Sequence, residues 1–178
     1  MRKLPGDISE QQENERMIRV DHAGEYGAAR IYAGQLAVMG KTPGRKLVEH
    51  MAKQEQHHLD TFEALMKERK VRPTALMPLW HVAGFALGAA TALMGEKAAF
   101  ACTVAVESVI DKHYAEQQTR LGENEKNLAR TIEKFRTEEQ EHHDAGLAQG
   151  AEETPLYPVL TTAVKVASKL AIWLSTRV

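Results

Sequence analysis

The sequence predicts an all-α protein built on a four-helix bundle, with one helical hairpin used twice and two extra helices, one apolar and one amphipathic. Apolar and small residues recur at helical spacing between Gly- and Pro-containing breaks. No alternating β-branched run is long enough to argue for a sheet. The two halves of the chain also share one spaced set of glutamate, tyrosine, glutamine and histidine. At 178 residues the chain suits a single domain with a real core, spanning 1–178. Basic and acidic residues nearly balance, 23 against 24, so net charge gives no reason to expect a nucleic-acid partner. The lone cysteine, Cys102, excludes an internal disulfide framework and fits a reducing compartment.

The helices follow in order. Residues 1–15 are expected to form a flexible N-terminus, and "MRKLPGDISEQQENER" lacks the apolar stretch of a signal peptide. The first helix, "NERMIRVDHAGEYGAARIYAGQLAVM", is stopped by "GKTPG", where Pro43 suits a helix start. The second repeats Leu47, Met51, Leu59, Phe62 and Leu65–Met66 at near-helical intervals, with Met51 and Met66 as core filler, and "VRPTALMP" breaks it. A third helix, about Leu79 to Met94, is apolar all round. "MGEK" opens the fourth, "GENEKN" turns the chain into the fifth, and "ETPLYP" leads to the last, "VLTTAVKVASKLAIWLSTRV".

The duplication carries the chemistry. Glu25 is followed by "YAGQ" (Tyr32 to Gln35), and Glu107 at the same spacing by "YAEQ" (Tyr114 to Gln117). The second helix holds "EQHHLD" (Glu55 to Asp60) and the fifth "EQEHHD" (Glu139 to Asp144). Both halves therefore read E-x6-Y-A-x-Q, then E-Q-x-H-x-D. Roughly 20 Å of helix runs from each acid to its turn, so the acids of one hairpin return to similar height. Residues i and i+3 share a helix face, which points Glu55 with His58 and Glu139 with His142 the same way. One glutamate from each of two helices and an E-x-x-H from each of the others is the di-iron or di-manganese carboxylate arrangement. A single E-x-x-H carries little weight in a chain with this many glutamates and histidines; the matched flanks carry it. Burying Glu25 and Glu107 among small and apolar neighbours without compensation is costly, and a cation compensates them. Oxygen-rich ligands with two imidazoles suit iron or manganese better than zinc.

Neighbouring residues fall outside the ligand set. Tyr32 and Tyr114 lie two turns from their glutamates and either pack in the core with satisfied hydroxyls or act beside the metals. His22 and His113 are expected on helix surfaces, and His57 and His143, one step off register, are expected to be exposed. Glu138 and Glu141 are assigned to the outer helix faces. Asp60 and Asp144 are left open as acceptors for an imidazole of a neighbouring helix.

Residues 73–95 contain no Asp, Glu, Lys or Arg and reach transmembrane length. Pro73, Pro78 and His81 argue against a span, and a span would put the two hairpins on opposite sides of a bilayer. The last helix has an apolar stripe (Leu160, Val164, Ala167, Ala171, Leu174) beside Lys165, Lys169 and Arg177. Residues 73–95 and 158–178 are thus read as helices that dip into one leaflet of a membrane surface. The competing reading has them cover the bundle or a homo-oligomer interface. An oxygen-activating site at a membrane surface implies a lipid-soluble substrate.

"RVDHAGEYGA", "RPTALMPLWHVAGFALGA", "ACTVAVESVI", "HY", "FRTEEQEHHDAG" and "YPVL" resemble the demethoxyubiquinone hydroxylases of coenzyme Q biosynthesis, from about Ile18 to the C-terminus. The resemblance implies a ferritin-like di-iron core whose six ligands match Glu25, Glu55, His58, Glu107, Glu139 and His142. It implies hydroxylation of a polyprenylated demethoxybenzoquinol ring with O2, two iron ions as cofactor and NADH as electron donor. His113 and Tyr114 match a His-Tyr pair proposed in that family to pass electrons between NADH, quinone and iron. It further implies a lipid-binding partner protein of coenzyme Q assembly. The implied location is peripheral, on the matrix side of the mitochondrial inner membrane in a eukaryote or the cytoplasmic face of the cell membrane in a bacterium. Ser108 and Lys112 depart from the pattern, off the ligand register. No Gly-rich dinucleotide fingerprint occurs. A ferritin-type ferroxidase and a non-enzymatic membrane-surface lipid-binding protein are the alternatives.

Overall fold

Helix α1 (Glu10–Val38) opens on a capping box: the Ser9 hydroxyl accepts from the Gln12 backbone N–H, and the Gln12 side chain accepts from the Ser9 N–H. This cap places helix where part of the flexible N-terminus (1–15) was expected. The computed structural model describes residues 8–178, and residues 1–7 of that expected segment lie outside the described residues. Five helices follow: α2 (Arg45–Arg69), α3 (Met77–Leu93), α4 (Glu96–Gln118), α5 (Lys126–Ala148) and α6 (Tyr157–Ser175). Short 3₁₀ turns at Glu123–Glu125 and Ala151–Glu153 join the later helices, and no strand occurs among the described residues. The predicted all-α class is the observed one.

Short connections make α1/α2 and α4/α5 antiparallel hairpins. Lys70 ends α2 in the left-handed region at φ 56°, and Val71 closes the turn by donating to the Met66 carbonyl. Gly95, at φ 119° and ψ 165°, swings the chain from α3 into α4, a conformation open to glycine.

Two buried apolar clusters fill the bundle. One gathers Ile18, Phe62, Met66, Ile110, Leu128, Ile132 and Phe135; the other gathers Tyr32, Met39, Val48, Met51, Phe100 and Val104. Because paired helices run in opposite directions, the first cluster joins the start of α1 and α5 to the end of α2 and α4, and the second joins the opposite ends. The layer of Glu25, Glu55, Glu107 and Glu139 falls between the two. Met51 and Met66 are core residues, as their spacing predicted.

Helix α3 packs along α1 backbone to backbone. A Cβ on Gly88 would stand 1.9 Å from the Ile31 carbonyl oxygen, and one on Gly34 would stand 2.1 Å from that of Phe85. The small residues that dilute the hydrophobicity of α3 are therefore its contact face. Its opposite face leaves Leu79, Val82 and Leu93 exposed. Helix α6 packs on α4 and α1 through Leu160, Thr161, Val164, Ala171 and Ser175. Most of the predicted apolar stripe thus turns inward, and a second apolar face, Val159, Val166, Leu170 and Trp173, is exposed. No helix among the described residues is long and apolar enough to cross a membrane.

Candidate metal centre

Glu25 on α1, Glu55 and His58 on α2, Glu107 on α4, and Glu139 and His142 on α5 converge, each no more than 3% exposed. They form two overlapping groups: Glu25, Glu55, His58 and Glu139, and Glu55, Glu107, Glu139 and His142. Within each group one ligand atom per residue lies within 4.8 Å of the others. Glu55 and Glu139 belong to both groups, so each is placed to bridge, while Glu25 with His58 and Glu107 with His142 complete the two ends.

Each imidazole turns Nδ1 inward. His58 Nδ1 is 3.1 Å from Glu139 Oε1 and 3.4 Å from Glu25 Oε2; His142 Nδ1 is 3.1 Å from Glu55 Oε1 and 3.4 Å from Glu139 Oε2. Outside the cluster itself neither Nδ1 atom has a hydrogen-bond partner, and neither do both oxygens of Glu55, both of Glu139 and Oε2 of Glu107. Buried polar atoms are normally paired, so a cluster of unpaired acceptors all aimed inward fits a cation-binding site, and the oxygen-rich donor set fits two iron or manganese ions.

The electrostatics agree. Burial, reinforced by the Glu139 charge, pushes Glu55 and Glu107 well above the ordinary carboxylate range. Burial also raises Glu25, against the opposing hydrogen bond of His58. Glu139 is the exception: burial would raise it, but hydrogen bonds and charge from His142 and His58 overcome that and hold it low. For His58 burial works downward, yet hydrogen bonds from Glu139 and Glu25 dominate and push it up to about 12.

The tyrosines cross between hairpins. Tyr32 on α1 donates to Glu107 Oε1 at 2.8 Å, and Tyr114 on α4 donates to Glu25 Oε1. Both are buried with satisfied hydroxyls, and both satisfy an end carboxylate of the cluster rather than a core backbone group. His113 lies half-buried beside Tyr114, ring centroids 6.2 Å apart, with Nε2 3.2 Å from Asp21 Oδ1. Gln117 donates to the same Asp21 oxygen at 2.6 Å.

Several expectations change. His22 is not a surface residue: it is buried between α1 and α2, its Nε2 3.9 Å from Glu63 Oε1. Asp60 is exposed and accepts from Gln56, and Asp144 is exposed and pairs with His143, so neither orients a cluster imidazole. That work falls to residues sequence reasoning passed over. Glu138, assigned to the outer face, is half-buried and accepts from His58 Nε2 at 2.6 Å, and Gln54 accepts from His142 Nε2 at 3.1 Å. Both stand immediately before the paired glutamate of their repeat, a correspondence present in the sequence. Asp21, one turn before Glu25, was missed as well. His57 and Glu141 are exposed and His143 is partly so. Ser108 donates back to the Ala105 carbonyl and Lys112 is exposed, so neither departure touches the cluster.

An apolar cavity of about 270 Å³ lies between α1 and α4 on one side and α3 and α6 on the other. Gly24, Ile31, Trp80, Leu87, Val106 and Ala171 are among its walls, and Gly24 and Val106 are the chain neighbours of Glu25 and Glu107. Trp80 Nε1 donates to Ser175 Oγ at 3.1 Å, tying α3 to α6 across it.

The family profile described as Ubiquinone biosynthesis protein COQ7 matches residues 12–175. The chain belongs to the COQ7 family. It is 56% identical over 177 residues to a 3-demethoxyubiquinol 3-hydroxylase of Rhodospirillum rubrum, covering 99% of this chain and 84% of that one. A human relative named NADPH-dependent 3-demethoxyubiquinone 3-hydroxylase, mitochondrial, is 53% identical, covering 92% of this chain and 77% of its own. A 5-demethoxyubiquinone hydroxylase of Saccharomyces cerevisiae, also mitochondrial, is 41% identical, covering 92% and 78%. COQ7 membership agrees with the resemblance that the sequence motifs carried.

Proposed function

We propose that this protein is a di-iron monooxygenase that hydroxylates the ring of a polyprenylated demethoxyubiquinol in ubiquinone biosynthesis. The observation that carries the reading is the pair of overlapping ligand groups, joined through Glu55 and Glu139, beside an apolar cavity. Glu25, Glu55, His58, Glu107, Glu139 and His142 would hold the two ions, and iron held there would supply the electron exchange with O2 that a closed-shell substrate requires. One oxygen atom is inserted into a ring C–H bond to give the hydroxyl, and the other leaves as water with two electrons from a reduced nicotinamide and two protons.

This chain's own residues supply orientation and a dry site. The cavity walls exclude water from the quinol, with its ring beside Glu25 and Glu107 and its tail between α3 and α6. Tyr32 and Tyr114 fix the end carboxylates. His113, held by Asp21 next to Tyr114, stands on the path from the surface to Glu25, which supports a role for the pair in passing electrons and protons inward. The outward apolar faces of α3 and α6, with Lys165, Lys169 and Arg177, support contact with a membrane surface and with a lipid-binding partner protein of the same pathway.

The purified protein is expected to hold two iron ions per chain and to convert demethoxyubiquinol to a product one oxygen atom heavier. NADH is the expected donor, and running NADPH in parallel decides between the two nicotinamides. Rapid oxidation of ferrous iron with no quinol hydroxylation would overturn the reading in favour of a ferroxidase.

A further inference from the structure

The duplication is faithful through the cluster, and beside it the two halves differ in the residue that meets each histidine's outward nitrogen. Each end of the cluster has one glutamate from the first helix of a hairpin, one histidine from the second helix, a tyrosine on the end carboxylate and a share of Glu55 and Glu139. Each histidine also offers its outward Nε2 to a residue of the opposite hairpin. For His142 that residue is the neutral amide of Gln54, at 3.1 Å; for His58 it is the carboxylate of Glu138, at 2.6 Å. The His58 side is further pinned, because its ring stacks on Phe135 with centroids 4.0 Å apart and Lys134 Nζ lies 3.7 Å from Glu138.

We propose that the two metal positions are unequal and that Glu138 sets the inequality, making the His58 position the tighter one. Glu138 is a positioning residue acting through His58. A carboxylate acceptor takes a stronger, shorter hydrogen bond from an imidazole N–H than an amide does. It leaves Nδ1 the more basic donor and holds the ring in one orientation. It also adds a negative charge near one position only, and Gln54 adds none at the other. The first ion to bind therefore enters between His58 and Glu25, and the last to leave under chelation departs from there. This inference rests on the metal-centre reading above.

The test is anaerobic titration of the metal-stripped full chain with manganese(II), and separately with iron(II), followed by calorimetry. The parent chain is expected to show two classes of site, the tighter lost in His58→Ala and the weaker in His142→Ala. Glu138→Gln weakens the tighter class about ten- to hundredfold and leaves the weaker one nearly unchanged. Gln54→Glu tightens the weaker class, a gain that a misfolded variant could not give, and helical circular dichroism checks the fold of each variant. In the iron-57-loaded protein, the Mössbauer signals of the two ions converge in Glu138→Gln. Unchanged constants in Glu138→Gln, or equal weakening of both classes, overturn the inference while leaving the metal centre standing. Failure of either ion to bind the parent chain removes the centre and the inference together.

Discussion

Glu55 and Glu139 share a property that no other cluster residue has: each belongs to both ligand groups. Their loss is therefore expected to differ in kind from the loss of an end ligand. Glu139→Ala should leave a folded helical protein that binds neither ion at ordinary concentrations. Glu25→Ala leaves Glu55, Glu107, Glu139 and His142 intact and should keep one ion of two, a difference that metal analysis of the purified variants reads directly. Hydroxylation should be lost in both. The same residues set a pH dependence for the metal-stripped protein. Glu25, Glu55, Glu107, His58 and His142 all have raised pKa values in the folded state. Their stabilising contribution is full below their ordinary values and is lost as pH rises through the raised ones. Glu139, held low, contributes in the opposite sense, but its contribution fades only in acid below its ordinary range. From about pH 5 to pH 8 the melting temperature of the stripped protein should thus fall as pH rises. Saturating manganese(II) should flatten that slope, and a stripped protein that grows more stable with pH would contradict the assignment.

At the scale of elements, the contact of α1 with α3 tolerates no added side chain. Backbones approach closely at Gly34, Gly84 and Gly88, and the glycines leave no room for a methyl group. Gly88→Ala should push α3 off α1 and cost about 1–3 kcal/mol, the usual cost of overpacking. Because α3 also forms one wall of the cavity through Ala83, Gly84 and Leu87, the variant should lose quinol affinity along with melting temperature. Gly27→Ala on α1 meets no atom within 4 Å and is the matched control for the melting temperature. The hairpins obey a different logic. Their register is set by packing on each side of the acid layer, with Phe62 and Phe135 below it and Met51 and Phe100 above. Polar partners across hairpins, Tyr32 with Glu107 and Tyr114 with Glu25, then lock the two repeats together.

Over the whole molecule, the two helices tied by the Trp80–Ser175 hydrogen bond carry most of the exposed large apolar groups. Leu79, Val82 and Leu93 of α3 and Val159, Val166, Leu170 and Trp173 of α6 are all more than half exposed. Large apolar groups concentrated on two neighbouring helices mark an interaction surface rather than ordinary scatter. The combined variant Leu79→Glu, Val82→Glu and Trp173→Glu should fold, since none of the three side chains is buried, yet sediment poorly with liposomes. Hydroxylation of a short-tailed, water-soluble quinol should survive in that variant, while turnover of a long-tailed substrate delivered in vesicles should drop. Equal vesicle binding by parent and variant would remove α3 and α6 from the membrane reading.

The fold class, the duplicated hairpin and the six cluster residues were legible in the sequence because each depends on spacing along one helix, and helical spacing is fixed by backbone geometry alone. Spacing cannot tell which carboxylate bridges, since that depends on how far apart four helices stand. Nor can it tell which residue meets an outward imidazole nitrogen: Glu138 and Gln54 reach across to helices about 80 residues away in sequence. His22 looked like a surface residue for the same reason, because α2 covers it. The final helix shows the limit most plainly. Its sequence has apolar residues on two faces, and only packing against α4 and α1 decided which face was buried and which was left outside.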